Sequence, residues 1–333
     1  MKEEMQLQAN LFRLIKERLP SNISLVHDLS ELLGISYDSA YRRIRGEKEL
    51  SMEELQKICI HYRISVDSIL NLHSENFLFQ SIPVGARGND FVKWLQNILV
   101  QIKRIHSCKE KRIIYSAKDV PIFHYFEFPR LFAFKRYFWH KVLFPESELK
   151  DQLFSPALPD ELTGLCREIL SYYNKIPTIE IWNIETFDSI LNQIEYCHVS
   201  GFFKENEDIV LLCDDLEILY RHLEHQVECG FRYFYGSAPE GEGDWFKMYV
   251  NDILLGDNTI FVLMDGTQFT FLTYNVISLL ITTNPVFCKE IETSLMNLTR
   301  QSMLISGTAA KERNRFFRQI IGKIQALREK AGK

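Results

Sequence analysis

Apolar residues recur at helical spacing through about the first seventy positions of the chain, and short polar turns interrupt them. Leu7, Leu11 and Ile15 lie on one face of a helix that Pro20 would end. Ser51 and Glu54 have the spacing of a capping box at the start of a later helix. The pattern predicts five short helices, around Leu7–Ile15, Leu25–Leu33, Tyr37–Arg45, Ser51–Cys59 and Ser65–Leu70.

A turn of three residues separates the second and third predicted helices. Gly34 suits the left-handed conformation at a helix end, Ile35 is an apolar plug, and Ser36 can cap the helix that follows. Two helices joined by so short a turn are typical of helix-turn-helix DNA-binding domains. The expected domain covers residues 1–75.

This region resembles the Cro/repressor-like helix-turn-helix family. The likeness rests on Leu29–Ser36, on Arg45-Gly46 and on Ser51–Leu70, which follow one another in the order of that family. Ser30 stands where the family usually has Ala, and Val26 stands where it often has a Gln that contacts phosphate. The resemblance implies a DNA-binding transcription regulator whose third helix reads the major groove.

The third predicted helix carries the candidate DNA contacts. At about 100° per residue, Asp38, Arg42 and Arg45 fall on the face opposite Ala40. Arg43 lies near the inner edge, and its length would let it reach a phosphate. Arginine can pair with guanine, and serine can bond a base or a phosphate. The candidate contacts are Ser36, Asp38, Ser39, Tyr41, Arg42, Arg43, Arg45 and Lys48.

The charge balance limits how this domain could hold DNA. Residues 1–75 contain 10 Lys/Arg and 12 Asp/Glu, and the formal net charge of the chain is −5. The arginines could be an ordinary solvated face, but their place on the third helix favours DNA contact. Binding would then depend on a local patch and on two copies of it, so we expect a homodimer.

A second, larger region follows a linker expected at residues 76–90. Helix and strand signals alternate over 91–333, which predicts a mixed α/β domain. A subdivision of this domain near 150–175 is possible. Strands are predicted at Arg112–Ala117, Thr178–Trp182, Phe231–Tyr235, Thr259–Met264 and Phe269–Tyr274, the last two joined by a hairpin at Asp265-Gly266. The chain as a whole is thus expected to be a multidomain protein of mixed α+β and α/β class.

The second region also resembles uncharacterised regulators of Bacteroidetes-type bacteria that join a helix-turn-helix to an α/β domain. The runs Ser116–Phe123 and Leu304–Gly307 carry that likeness. It implies an architecture and no particular ligand.

Nine aromatic residues lie within Phe123–Trp139. On a helix they occupy several faces, so the segment could be core, a dimer seam or the wall of an apolar cavity. One hypothesis is that such a cavity binds a small, partly apolar effector molecule, which could also carry an anionic group. Its candidate lining residues are Phe126, Phe128, Arg130, Phe134, Phe138 and Trp139.

The remaining sequence features exclude several classes of protein. Seven scattered cysteines without a CxxC pair indicate reduced thiols, and a polar start without long apolar runs indicates neither a secretory signal nor a membrane span. These features predict a cytoplasmic protein. Phosphate-loop, dinucleotide, HExxH and GxSxG motifs are absent, so we expect no enzyme activity, cofactor or metal.

The sequence therefore predicts a sequence-specific DNA-binding transcription regulator that binds double-stranded DNA as a homodimer. Its second domain would dimerise and sense a small molecule. The alternative is a DNA-targeted enzyme or a degenerate phospholipase-D-like domain, although the HxKxxxxD motif of an active one is absent.

Overall fold

A computed structural model of the chain describes residues 2–19, 24–62, 64, 66, 77–82, 88–144, 149–241, 243–253 and 256–331. The chain separates into two compact units, unit 1 at residues 1–78 and unit 2 at residues 79–333.

Unit 1 is helical throughout its described part. Its helices are α1 (Lys2–Arg18), α2 (Leu25–Leu33), α3 (Tyr37–Ile44) and α4 (Met52–His61). They match the first four helices expected from the apolar spacing. The fifth, expected over Ser65–Leu70, falls on positions that lie almost wholly outside the described residues.

The core of unit 1 explains why these helices form. Leu11, Leu29, Ala40 and Ile58 come from four different helices and are almost fully buried together. Each lies on the apolar face of its own helix, and that face is buried only when the other three helices pack against it. The helices are therefore stable as a packed set and not as separate segments.

Unit 2 is built on a mixed sheet of eight strands within the described residues. Its order is β1-β7-β6-β5-β2-β3-β4-β8, in which β2, β3 and β4 are parallel and the other neighbours are antiparallel. The strands are β1 (Gln80–Ile82), β2 (Lys111–Ser116), β3 (Thr178–Trp182), β4 (Phe246–Val250), β5 (Thr259–Met264), β6 (Thr267–Tyr274), β7 (Ser278–Thr282) and β8 (Met303–Leu304).

Helices cover both faces of this sheet. On one face the helix Pro285–Arg300 (α10) packs Cys288 and Leu295 against the strands, and on the other face a larger core joins the remaining helices. Strand β3 shows the alternation, since Ile181 faces α10 while Glu180 and Trp182 face the larger core. The helices are α5 (Gly88–Ser107), α6 (Pro129–Leu143), α7 (Asp160–Tyr173), α8 (Ile184–Val199), α9 (Glu207–Cys229), α10 (Pro285–Arg300) and α11 (Ala310–Ala331), with a 3-10 turn at Ile122–Tyr125.

Four of the five predicted strands form, with shifts of two residues or less at their ends. The hairpin at Asp265-Gly266 also forms, with φ of 44° and 82°, as a two-residue turn between antiparallel strands requires. The strand expected at Phe231–Tyr235 does not form. The Tyr233 carbonyl instead accepts hydrogen bonds from side chains of α9, which replace a strand partner.

Two observations bear on the expected domain boundaries. Gln80–Ile82, inside the expected linker at 76–90, pairs with β7 and is the edge strand of the sheet. Residues 150–175, where the second domain could divide, lie inside unit 2, and the strands on either side of them, β2 and β3, are parallel neighbours over one continuous core.

Candidate nucleic-acid interface

Helix α3 is placed against α2 by a buried contact and a short turn. Ala40 is completely buried, and Ser30, at the position where a small residue was expected, is 6% exposed. The Ser30 hydroxyl donates to the His27 carbonyl (2.8 Å), so it is satisfied within its own helix. Gly34 adopts the left-handed conformation at φ 64°, which a side chain would strain.

Side-chain caps define where the flanking helices begin. The Ser36 hydroxyl accepts a hydrogen bond from the Ser39 amide (3.3 Å) at the start of α3. Ser51 and Glu54 form the expected capping box at the start of α4. Local side-chain caps therefore determine where α3 and α4 begin.

The outer face of α3 presents two aromatic and two cationic side chains. Tyr37 and Tyr41 are 54% and 47% exposed, and the side chains of Arg42 and Arg45 are 53% and 60% exposed. Asp38 and Lys48 also lie at the surface. Tyr37 falls on the same side of the helical wheel as Ala40, but it is the first residue of α3, so no preceding helical turn covers it.

Arg43 is not on this face, which corrects its expected role as a phosphate contact. It is 4% exposed and forms a two-point contact with Glu54, from Nε to Oε2 (3.0 Å) and from Nη2 to Oε1 (2.6 Å). Its Nη1 donates to the carbonyl and the hydroxyl of Ser39 (3.1 and 3.0 Å). Every guanidinium nitrogen of Arg43 is thus engaged inside unit 1, and these bonds lower the pKa of Glu54.

A single carboxylate lies beside both exposed arginines. Glu47 approaches Arg42 Nε at 3.9 Å and Arg45 Nη1 at 3.5 Å, and its own side chain is 50% exposed. The Arg45 guanidinium also lies over the Tyr41 ring, 5.1 Å from its centre. Such exposed pairs are weak, so a phosphate or a base could displace Glu47.

Gln8 of α1 holds the loop between α3 and α4. Its amide nitrogen donates to the carbonyls of Arg43 (2.7 Å) and Lys48 (2.9 Å), and its oxygen accepts from the Leu50 amide (3.2 Å). The backbone of Lys48 is thereby fixed while its ammonium group reaches solvent. The sequence analysis missed Gln8, because its partners lie 35 to 42 residues away.

In unit 2 the aromatic segment forms packed core and not the wall of the expected ligand pocket. Phe126, Phe134 and Trp139 are 4%, 0% and 4% exposed. Arg130 is paired with Asp215 (3.5 Å) instead of being available to an anion. Phe128 is 7% exposed, and Phe138 packs half-buried against the same core.

A buried polar cluster, the Glu180 cluster, lies beside this core. Glu180 is completely buried and contacts His124 Nε2 (2.9 Å), Arg232 Nη2 (2.5 Å) and Trp182 Nε1 (2.9 Å). Burial opposes ionisation, but the charges of His124 and Arg232 outweigh it and lower the pKa of Glu180 to about 2. A cavity of about 20 Å³ adjoins His124 and Arg232, which is room for roughly one water molecule.

His222 and His225 lie three residues apart on α9, and the side chain of His222 is largely buried. Its Nε2 lies 3.0 Å from the Tyr233 carbonyl and 3.6 Å from Glu127. Across the part of the chain that the structure describes, no three His, Cys, Asp or Glu side chains come together as a metal site.

Comparison with known proteins covers unit 1. A family model described as helix-turn-helix matches residues 14–69. The match supports a helix-turn-helix, DNA-binding transcription regulator, in agreement with the resemblance found in the sequence. Comparison with curated proteins and with solved structures gives no match. None of the described helices is long and apolar enough to span a membrane.

Proposed function

We propose that unit 1 reads a specific sequence of double-stranded DNA by placing α3 in the major groove. The observation that carries this is the outer face of α3, where Arg42 and Arg45 are more than half exposed and Arg45 lies over the exposed ring of Tyr41. Arginine pairs with the O6 and N7 acceptors of guanine. Asp38 lies on the same exposed surface and could accept from a cytosine amino group.

Phosphate contacts would hold this helix in register. The Lys48 ammonium group lies at the surface of a loop that Gln8 fixes. The Ser36 and Ser39 oxygens already accept hydrogen bonds, but their hydroxyl hydrogens can still donate to phosphate oxygens. Arg43 takes no part, because its donors are used within unit 1.

The proposed regulator binds as a homodimer. Helix α3 has only 8 residues, and the domain around it carries more acidic than basic residues, so one copy supplies few phosphate contacts. Two copies on one face of the duplex would double them. The expected operator is a near-palindrome with half-sites roughly 34 Å apart, one turn of the double helix.

Unit 2 would supply dimerisation and sensing rather than catalysis. The Glu180 cluster combines a carboxylate, a histidine and an arginine, a combination that could serve acid–base chemistry. The adjoining cavity of about 20 Å³ is far too small for a substrate. This closed geometry supports a structural role for the cluster.

The proposal is tested on an operator selected from random DNA. Arg42→Ala and Arg45→Ala should each weaken specific binding by about 1–3 kcal/mol, measured by fluorescence anisotropy. Lys48→Ala should weaken binding evenly across sequences and lower the salt slope by about one. The matched control is Arg221→Ala on α9, which removes an exposed arginine from the other unit. Unchanged affinity in both Arg42 and Arg45 variants would contradict the assignment.

Oligomeric state is tested separately by light scattering. We expect two chains per particle in solution and two chains per operator duplex. A particle of one chain both alone and on DNA would contradict the dimer and leave the base contacts of α3 standing.

A further inference from the structure

A second cleft lies at one edge of the sheet in unit 2, where β2 and β3 end. Its volume is about 520 Å³, within the range of small-molecule sites. Lys118 and Asp119 follow β2, and Glu185 opens the helix that follows β3. Ligands of α/β proteins commonly bind outside the carboxyl ends of parallel strands. The position and the size together point to a binding site.

The walls of this cleft are held in place by buried bonds. Asn258 is 9% exposed, and its side-chain oxygen accepts from the backbone amides of Lys118 (2.8 Å) and Asp119 (3.1 Å). Its carbonyl accepts from the Thr273 amide (3.0 Å). The segment after β2 is therefore tied to the end of β6, and the cleft is preformed.

A buried lysine lies directly behind the floor of the cleft. Lys135 of α6 is 1% exposed, and its ammonium donates to Asp119 Oδ2 (2.8 Å) and Gln193 Oε1 (3.0 Å), both of which line the cleft. The second oxygen, Asp119 Oδ1, is buried and has no hydrogen-bond partner among the described residues. The two hydrogen bonds from Lys135 therefore hold the side chains of Asp119 and Gln193 in place at the floor of the cleft.

The charges around the cleft almost cancel. Asp119 pairs with Lys135, Glu185 with Lys118 (3.6 Å), and Asp188 with Lys323. Asp257 is the fourth lining carboxylate. A charged ligand would therefore find no net counter-charge in the cleft, and an apolar ligand would remove water from these charged groups without bonding them.

The other lining groups both donate and accept hydrogen bonds. They are the amides of Asn192, Gln193, Asn258 and Asn275 and the hydroxyls of Ser189, Thr273 and Tyr274. Vicinal hydroxyl groups also donate and accept, so they complement amides and carboxylates at once.

We propose that this cleft binds a neutral, polyhydroxylated small molecule of the monosaccharide or polyol class and is the effector site of the protein. The effector role rests on the proposed function, whereas the binding of the ligand does not. The assignment replaces the apolar pocket expected from the aromatic segment: the aromatic helix contributes Lys135 from behind, and its rings form core.

The test is calorimetry on the full chain with D-glucose, D-ribose, sorbitol and myo-inositol as probes. Glucose 6-phosphate and glucosamine serve as charged comparisons. We expect at least one neutral probe to bind, and the phosphorylated analogue of a binding sugar to bind more weakly. A panel in which no neutral probe binds, or in which the phosphate or the amine binds best, would overturn the ligand class.

Variants of α8 locate the site. Asn192→Trp should fill the mouth of the cleft and weaken binding by about tenfold or more. Val199→Trp is the matched control, because Val199 lies two turns further along the same helix face, is 81% exposed and does not line the cleft. Equal binding by both variants would overturn the location. Asp119→Asn, checked for folding by thermal denaturation, should weaken binding as well.

Operator affinity is measured in parallel without and with the best probe. Binding of the probe with unchanged operator affinity would remove the effector role and keep the site. If the chain binds the probe but shows no sequence-specific DNA binding, the proposed function is refuted and the cleft assignment stands.

Discussion

The outer face of α3 and the Glu180 cluster both contain arginines, and they use them in opposite ways. Arg42 and Arg45 are more than half exposed, and the carboxylate beside them, that of Glu47, lies 3.9 and 3.5 Å away. Arg232 is 6% exposed, lies over the Phe246 ring at 3.9 Å and contacts Glu180 at 2.5 Å. The exposed guanidinium groups can exchange a weak partner for DNA. The buried guanidinium group of Arg232 cannot, because its removal would leave the buried Glu180 carboxylate without that partner.

Arg43 belongs with the buried group although it is a neighbour of Arg42 in the chain. Its two-point contact with Glu54 resembles the pairing of Arg232 more than that of Arg42. The comparison shows that an arginine is available for a ligand only where the fold leaves its nitrogens unsatisfied. Three substitutions test this distinction, from the largest expected effect to the smallest.

Arg232→Met should destabilise unit 2 by about 3–5 kcal/mol, because it leaves the buried Glu180 carboxylate without one of its two counter-ions. Urea unfolding followed by tryptophan fluorescence measures this, since all four tryptophans (Trp94, Trp139, Trp182 and Trp245) lie in unit 2. The matched control is Arg221→Met, whose side chain is 61% exposed; it should cost about 1 kcal/mol or less.

A double variant sharpens the same prediction. Adding Glu180→Gln to Arg232→Met should recover part of the loss, because no uncompensated carboxylate then remains. If Arg232→Met costs no more than Arg221→Met, the Glu180 cluster does not stabilise unit 2 in the way described.

Arg43→Met should destabilise unit 1 by about 2 kcal/mol, since Glu54 is partly exposed and can be hydrated in part. Hydrogen exchange measured by mass spectrometry on peptides within 24–62 reports the opening of this unit alone. Arg42→Met is the control, and we expect it to weaken DNA binding without faster exchange. Equal hydrogen-exchange rates in the two variants would show that Arg43 does not stabilise unit 1 more than Arg42 does.

Glu47→Gln should strengthen DNA binding about twofold, with the larger gain at low salt, because it frees Arg42 and Arg45 and removes a charge that repels phosphate. Fluorescence anisotropy at two salt concentrations measures the effect. Glu49→Gln removes the same charge two residues away, so an equal gain from it would show that general repulsion, and not the pairing with the arginines, is responsible.

Local patterns in the sequence predicted the elements that local forces determine. Helices α1 to α4 follow from apolar spacing, the Gly34 turn and the Ser51–Glu54 capping box, all of which involve residues within one or two turns of each other. The hairpin at Asp265-Gly266 follows from the conformations those two residues readily adopt. These features need no information about distant parts of the chain.

The predictions that were wrong concern residues whose partners lie far away in the chain. Arg43 bonds a residue 11 positions away, and Lys135 bonds one 58 positions away, so no helical wheel could show that either is buried. Phe231–Tyr235 is rich in aromatic residues, as strands often are, but side chains of α9 bond its Tyr233 carbonyl. β1 is a strand because β7 lies beside it, and its three residues alone carry too weak a pattern.

The sequence by itself determined a helix-turn-helix in the first unit, a mixed α/β second unit and the set of charged residues available to both. Only the tertiary structure decided which of those charges face solvent, which pair with one another, and that polar residues gather around the larger cleft at the ends of β2 and β3. The physical reason is that helix and turn formation depends on neighbours in the chain, whereas desolvation and charge pairing depend on neighbours in space.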